Sequence, residues 1–473
     1  MVMGEFTQET DLLVIGAGPG GYAAAFRAAD LGLDVMLVDI AERPGGVCLH
    51  RGCIPSKTYL HLAELIHDAR NAGPMGVSFS TPRFDLAAMR AWKGQVVDQL
   101  AQGLVTLTEK RGIQYIQGRA VFEDDRHVRI KGRDALRVTF KNAIIAAGSH
   151  AIALPGADFG QGGRIMSSTG ALNLTAIPET LLIVGGGYVG LELGMVYAAL
   201  GSRITLVEVG DRLLPGVDAD LVAPLKKRLG HEFETMLFHS KVAALDAAGD
   251  GVVARIEGAG GTTSLNVDRV LVAIGRRPNT DSLGLETTGV QLDENGFIVV
   301  DDRQRTSIPH IYAIGDIVGG VMLAHKAMFE GKVAAEVIVG HPSAFDVQAI
   351  PAVVYTDPQI AWAGITEEAA RQQGLSVAVE KFPWKFSGRA LTTGTPAGLT
   401  KMIIDADTRR VIGVGITGRG AEGLIAEGVL AIEMGALAED VALSMHAHPT
   451  LSETEGETAE IFLGAATHIL PKK

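Results

Sequence analysis

The chain has 473 residues, enough for about three domains of ordinary size. Its composition, 47% hydrophobic and 20% charged, is globular and excludes a disordered chain. A net charge of −12 argues against nucleic acid or an acidic membrane as partner, and a total of two cysteines excludes a disulfide scaffold and a four-cysteine zinc site.

The opening segment, MVMGEFTQETD, is acidic, and the apolar stretch after it is broken by Gly16, Gly18, Gly20 and Gly21. It reads as neither a signal peptide nor a membrane span, so a soluble protein of the reducing cytoplasm is expected. That stretch, LLVIGAGPGGYAAA, is an apolar run, a G-x-G-x-x-G turn and a helical pattern. LLIVGGGYVGLELG, from Leu181, repeats it. The glycines are Gly16, Gly18 and Gly21 in the first unit and Gly185, Gly187 and Gly190 in the second. Each unit ends a second apolar run on an acid, Asp39 and Glu208, both 23 residues beyond the first glycine. One such motif is weak evidence. Two with strand, turn, helix and acid in place predict two dinucleotide-binding units, since packing alone does not require an acid at the same offset twice.

Between the units lies GGVCLHRGCIPSK, residues 45–57, with both cysteines spaced C-x-x-x-x-C and an amphipathic helix predicted after them. Cys53 then stands near a helix start, where the dipole favours a thiolate. Two buried, inert thiols are the bland alternative. The neighbouring positions of Cys48 and Cys53, just beyond the acid of a nucleotide unit, favour a redox dithiol. KNAIIAAGSHAIALPG (residues 141–156) and RVLVAIGRRPNT (269–280) read as buried strands leaving their domains, and IPHIYAIGDIVGG (308–320) as a strand ending at Gly315–Asp316. From about residue 350 the pattern changes to strands such as KMIIDA and RVIGVGI and a helix in EGLIAEGVLAIEMG. The expected architecture is α/β: two Rossmann-like dinucleotide-binding domains (1–150 and 151–280), a central segment completing the first of them (281–349), and an α+β domain (350–473) without a nucleotide motif. No low-complexity linker or tethered carrier domain is expected.

In MHAHPTLSETEGE (445–457), His448 precedes a proline and Glu453 lies five residues on. A carboxylate that orients one imidazole nitrogen leaves the other free as a base. A satisfied core histidine is as good a reading of this segment alone. A metal site of His446, His448 and Glu453 is disfavoured beside a dithiol, and no metal is expected. Lys57 and Glu192, each on a helix after a glycine-rich or cysteine-bearing turn, read by themselves as ordinary surface charges.

Together GAGPGGY, GGVCLHRGCIPSK, GGGYVGLELG, VAIGRRPN, YAIGDIVGGVMLAHKA, YTDPQIAW, FPWKFSGRA and HAHPTLSE resemble, nearly end to end, the dihydrolipoyl dehydrogenases of the flavin disulfide reductase family. The resemblance implies oxidation of protein-bound dihydrolipoamide to lipoamide with reduction of NAD+, through an active-site disulfide and FAD. It implies that Gly16, Gly18, Gly21 and Asp39 hold the adenosine part of FAD. Gly46, Val47, Cys48 and Lys57 would lie along the same cofactor, Asp316 would meet its ribityl chain, and Ala120 and Ala324 would offer backbone contacts. Lys57 would pair with Glu192 near the flavin's reactive nitrogen. For NAD it implies Gly185, Gly186, Gly187, Tyr188, Val189, Gly190 and Glu208, then Val242, and then Ala273, Ile274, Gly275 and Arg276. Cys48 would be the interchange sulfur and Cys53 the one against the flavin. His448 and Glu453 would complete the site from the other subunit of a homodimer joined through residues after about 350. Implied partners are the lipoyl domains and acyltransferase core of 2-oxo-acid dehydrogenase complexes, or the lipoyl carrier of the glycine cleavage system.

The sequence departs from the family pattern at Val47, His50, Arg51, Ala147 and Phe329. His50 and Arg51 add positive charge beside the dithiol, which would favour a thiolate. A mercuric reductase would carry a further cysteine pair near THILPKK, and a glutathione-type reductase would need arginines where Glu208, Val209 and Gly210 stand. A transhydrogenase lacks the cysteine pair. A purely structural subunit of a multienzyme core is the reading from another class.

Overall fold

The computed structural model describes residues 7–132, 135–157, 159 and 163–470, so MVMGEF and the closing PKK lie outside the described residues. Three sheets organise the chain. In the first, the parallel order runs Gln114–Phe122, Val35–Asp39, Thr7–Ile15, Ala135–Ile145 and Ile311–Ala313. His127–Gly132 pairs antiparallel with strands 114–122 and 135–145. The strand at 311–313 thus returns from the far side of the second nucleotide unit to complete this sheet. The second sheet is wholly parallel, in the order Thr235–Leu237, Arg203–Val207, Thr180–Val184, Arg269–Val272 and Ile165–Met166.

In both sheets the strand that feeds the glycine turn is central, with its successor on one side and a later strand on the other. That is the switch point where a crevice opens beyond the strand ends. The feeding strands are buried on both faces: Leu12, Leu13 and Val14, like Leu181, Leu182 and Ile183, are fully inaccessible. This explains their unbroken apolar runs.

A short ribbon, Ser149–Ala151 antiparallel to Arg276–Pro278, crosses between the two nucleotide units. An antiparallel meander of residues 241–267 covers the second sheet. The third sheet is antiparallel, in the order 352–354, 360–364, 411–417, 399–405 and 377–383, with the helices Ala421–Glu433 and Glu453–Leu463 packed on it. Its core ties down the last helix: Trp384 Nε1 donates to Thr400 Oγ1 at 2.9 Å, and Thr400 meets Thr454 Oγ1 at 2.7 Å, one residue past Glu453. This sheet is held to the second nucleotide unit by Lys401, whose buried ammonium meets Asp218 at 2.8 Å, Asp220 at 3.1 Å and Glu367 at 2.6 Å. Those three acids are the group with metal-ligand spacing among the described residues, and the lysine stands among them. No described helix is long and apolar enough to cross a membrane.

Candidate active site

The glycines of the two turns divide into two kinds. Gly16 has φ +102° and Gly185 φ +108°, backbone that side chains rarely adopt. A Cβ on Gly21 would stand 1.8 Å from Gly16 O, and one on Gly190 2.4 Å from Gly185 O, so helix and strand touch only because these residues are bare. Gly18 and Gly187 are different. A Cβ on Gly18 would come no nearer than 4.0 Å to anything, and one on Gly187 would meet nothing. The fold does not require the middle glycine; the space in front of it does. Both glycines also N-cap their helices, Pro19–Asp30 and Tyr188–Leu200, without a side-chain cap. First-turn N–H groups are therefore left for an anion, as a pyrophosphate cradle needs.

The two acids brace these turns in the same manner. Asp39 accepts Ala17 N at 2.6 Å and Ala41 N at 2.8 Å, while Glu208 accepts Gly186 N and Gly210 N, both at 2.6 Å. Each carboxylate oxygen keeps a second lone pair for a ribose hydroxyl.

The cysteine segment is pressed onto the first turn. Gly45 N donates to Ala17 O at 2.8 Å, and a Cβ on Gly46, at φ +60°, would lie 2.5 Å from Gly18 Cα. From there the helix Gly46–Arg51 carries Cys48, and Cys53 opens the helix Cys53–Asn71. Cys48 is half-buried and Cys53 faces the open cleft, both as free thiols. They form an asymmetric pair. The hydrogen bond that Cys48 donates to Cys53, and burial, push the Cys48 thiol far up. The same bond pulls Cys53 down to about 7 against its burial, helped by the Lys57 ammonium one helical turn on. The helix start adds its own favourable field. His50 does not act here, because its Nε2 is turned onto Pro44 O at 3.0 Å. The expectation that His50 would charge the dithiol is corrected: the cation acting on Cys53 is Lys57.

Lys57 and Glu192, surface charges by local pattern alone but a pair by the resemblance, form an ion pair of 2.8 Å with Glu192 almost fully buried. Tyr355 fixes both partners. Its N–H donates to Glu192 Oε1 at 2.9 Å and its ring lies 4.4 Å beneath the Lys57 nitrogen. One cleft collects Gly18, Val47, Cys48, Cys53 and Lys57 from the first unit. Tyr188, Val189, Glu192 and Arg276 reach it from the second, and Asp316 and Ala324 from the returning segment. A second cavity holds Gly185, Gly187, Tyr188, Val189 and Glu208, then Val242 and the run Ala273, Ile274, Gly275 and Arg276. Ala120 lines neither; it pairs with Ile130 mid-strand and its methyl enters the core.

His448 and Glu453 lie elsewhere. His448 Nδ1 meets Glu453 Oε1 at 2.8 Å, and Thr450 N donates to Glu453 Oε2 at 2.8 Å. Burial raises this carboxyl, but the Thr450 N–H and the imidazole outweigh it and hold it below its ordinary value. The His448 side chain is 74% exposed, its Nε2 has no hydrogen-bond partner among the described residues, and it is not part of the cysteine cleft. His446 pairs instead with Glu427 at 2.8 Å, so the two histidines do not converge on a common metal position. In the segment that leads to His448, Met445 is fully exposed and Leu443 largely so.

Glu455, two residues beyond Glu453, is buried with Oε1 unpaired. Burial, with Glu427 nearby, pushes it up to about 9. A carboxyl raised on folding binds a proton that the unfolded chain has released, so it costs stability as pH rises from about 4.5 towards 9. Glu455→Gln is expected to unfold at a higher temperature than the parent at pH 8, with the difference shrinking by pH 5 in thermal melts.

Sequence reasoning missed Ser149, Tyr355, Lys326 and Glu330. The last two form a buried ion pair of 2.7 Å, and Glu330 also accepts Gly315 N at 2.7 Å, pinning the turn that presents Asp316. Their four-residue spacing on one helix was the available signal.

The model of the pyridine nucleotide-disulphide oxidoreductase family matches residues 10–331, and that of the family's dimerisation domain matches residues 350–459. A dihydrolipoyl dehydrogenase of Haemophilus influenzae is 47% identical over 98% of this chain and 96% of its own length. One from Geobacillus stearothermophilus is 45% identical over 100% of both. This chain belongs to the dihydrolipoyl dehydrogenases, within the pyridine nucleotide-disulphide oxidoreductases. Among solved structures, the HOCl-induced flavoprotein disulfide reductase RclA of Escherichia coli superposes with a TM-score of 0.85 at 26% identity, over 95% of this chain and 99% of that one. The dihydrolipoyl dehydrogenase family uses FAD and NAD, and both glycine turns have the open cradle such nucleotides need.

Proposed function

We propose that this protein oxidises dihydrolipoamide to lipoamide with reduction of NAD+, using the Cys48–Cys53 pair, and that it works as a homodimer. The observation that carries the reading is the asymmetric thiol pair, set against the first glycine turn and opening on a cleft shared with the second nucleotide unit. FAD belongs in the cysteine cleft and NAD in the cavity with Glu208. When bound, FAD supplies the two-electron acceptor that joins thiol oxidation to NAD+ reduction.

The protein's part begins with Cys48 and Cys53 joined as a disulfide. His448 of the partner subunit takes a proton from one substrate thiol, because the thiolate is the attacking species. The substrate sulfur bonds to Cys48 Sγ as the Cys48–Cys53 bond breaks, releasing Cys53 as a thiolate that the helix start and Lys57 stabilise. The second substrate thiol displaces Cys48, closing lipoamide, and the electron pair then resides on the dithiol. Glu453 holds the imidazole in its tautomer and offsets its charge when protonated. The exposed Leu443 and Met445, just before His448 in the chain, support a second copy covering this segment. Lipoyl domains of 2-oxo-acid dehydrogenase complexes, or the lipoyl carrier of glycine cleavage, would deliver the substrate in the cytoplasm.

Glu208 decides the nucleotide. Its carboxylate, aligned by Gly186 and Gly210, accepts from a ribose diol and repels a 2′-phosphate. A like-charge contact of this kind costs several kcal/mol, so NAD+ is expected to exceed NADP+ in kcat/KM by about a hundredfold or more. Assays with dihydrolipoamide, glutathione and reduced thioredoxin, each against both nucleotides, test substrate and cofactor together. Turnover confined to dihydrolipoamide with NAD+ is the expected pattern, and preference for another thiol would refute the reading.

A further inference from the structure

We infer that Ser149 is a positioning residue that couples the two nucleotide cavities through Arg276 and Asp316. The inference rests on the proposal that FAD occupies the cysteine cleft.

Ser149 opens the ribbon that crosses between the two nucleotide units, and it is buried. Arg276 grips it twice: Nε donates to Ser149 Oγ at 2.7 Å, and Nη2 donates to Ser149 O at 2.6 Å. These two bonds fix the plane of the guanidinium. Since arginine cannot accept, the serine proton must go elsewhere, and it goes to Asp316 Oδ2. The guanidinium and that carboxylate are otherwise 3.9 Å apart, beyond a hydrogen bond, so the hydroxyl is the link between them.

The ends of this link face different spaces. Asp316 lines the cysteine cleft, whereas Arg276 lines both that cleft and the cavity with Glu208. The backbone of the Asp316 turn cannot readily shift. Glu330 holds Gly315 N, and the ammonium of Lys326 bonds Glu330 at 2.7 Å and Gly319 O at 3.0 Å. What can respond to an occupant of the cleft is the carboxylate, and its orientation passes through one hydroxyl to the guanidinium that also lines the cavity with Glu208.

Removing one hydrogen bond between a neutral and a charged group costs about tenfold to a hundredfold in affinity. In the holoenzyme, Ser149→Ala is expected to weaken NAD+ binding to the oxidised protein by about tenfold. It should also speed FAD release, followed by free-flavin fluorescence, by a similar factor. Ser149→Thr keeps the hydroxyl and should stay within about threefold of the parent in both. In an Arg276→Met background nothing remains to be positioned, so Ser149→Ala should add less than about twofold to the loss of NAD+ affinity. Unchanged NAD+ affinity in Ser149→Ala, or the full tenfold loss repeated on top of Arg276→Met, would overturn the inference. Should Ser149→Ala lose FAD outright, Ser149→Thr decides: retention of FAD and NAD+ affinity supports the link, and their loss refutes it. A parent protein that binds no FAD would instead defeat the functional proposal on which the link rests.

Discussion

Cys48→Ser and Cys53→Ser are each expected to abolish dihydrolipoamide oxidation, by at least about 10⁴-fold, while FAD stays bound. Loss of either sulfur removes the disulfide that receives the substrate's electrons, and a hydroxyl cannot replace it, so the effect is of the size seen when a nucleophile is deleted. Binding is untouched because the cradle is built from Gly18, Gly46 and helix N-termini, none of which depends on a thiol. The two variants differ in one respect. In Cys48→Ser the remaining thiol is Cys53, which keeps Lys57 and its helix start. Its alkylation by iodoacetamide should set in at a lower pH than that of the thiol left in Cys53→Ser, since Lys57 and the helix start still favour its thiolate. In Cys53→Ser the remaining thiol is half-buried Cys48, which should alkylate only at higher pH. Near-normal turnover by either variant would remove the dithiol from the mechanism.

His448→Gln is expected to lose about 10²–10⁴-fold in dihydrolipoamide turnover, the usual cost of deleting a general base. Reduction of the bound flavin by NADH needs no thiol base and should be unchanged. This split separates a base from a residue that merely supports the fold, because a folding defect would lower both rates. A stopped-flow comparison of the two half-reactions checks it, and equal losses in both would exclude His448 as the base.

The parts of this site that were legible in the sequence are those whose chemistry is local. The two glycine turns declare themselves because strand, turn, helix and acid fall within a few dozen residues, and the first and third glycines of each answer a steric demand that no other residue meets. The strands expected in KMIIDA and RVIGVGI form at 399–405 and 411–417, and the helix expected in EGLIAEGVLAIEMG forms at 421–433. What stayed hidden depends on burial across long separations. Lys57 and Glu192 are 135 residues apart, and no local pattern says that one of them is sealed inside the protein. Ser149 and Arg276 meet only because the ribbon brings strands 127 residues apart into register. His50 misled for the opposite reason: its proximity in sequence to the dithiol suggested an electrostatic role, but its side chain points to Pro44 O. The resemblance supplied the link between His448 and the dithiol, which a single chain leaves apart.

That separation makes subunit exchange the most direct test of the central claim, that each site joins one chain's dithiol to the other chain's His448. Cys48→Ser and His448→Gln homodimers, each inactive alone, are mixed under conditions where exchange is verified by mass-tagged subunits. In a mixed dimer one site pairs an intact dithiol with an intact His448 while the other carries both lesions. Recovery of dihydrolipoamide oxidation, approaching half the parental turnover per heterodimer, is the predicted result. Verified heterodimers with no recovery would show that each site is built within one chain and would contradict the account.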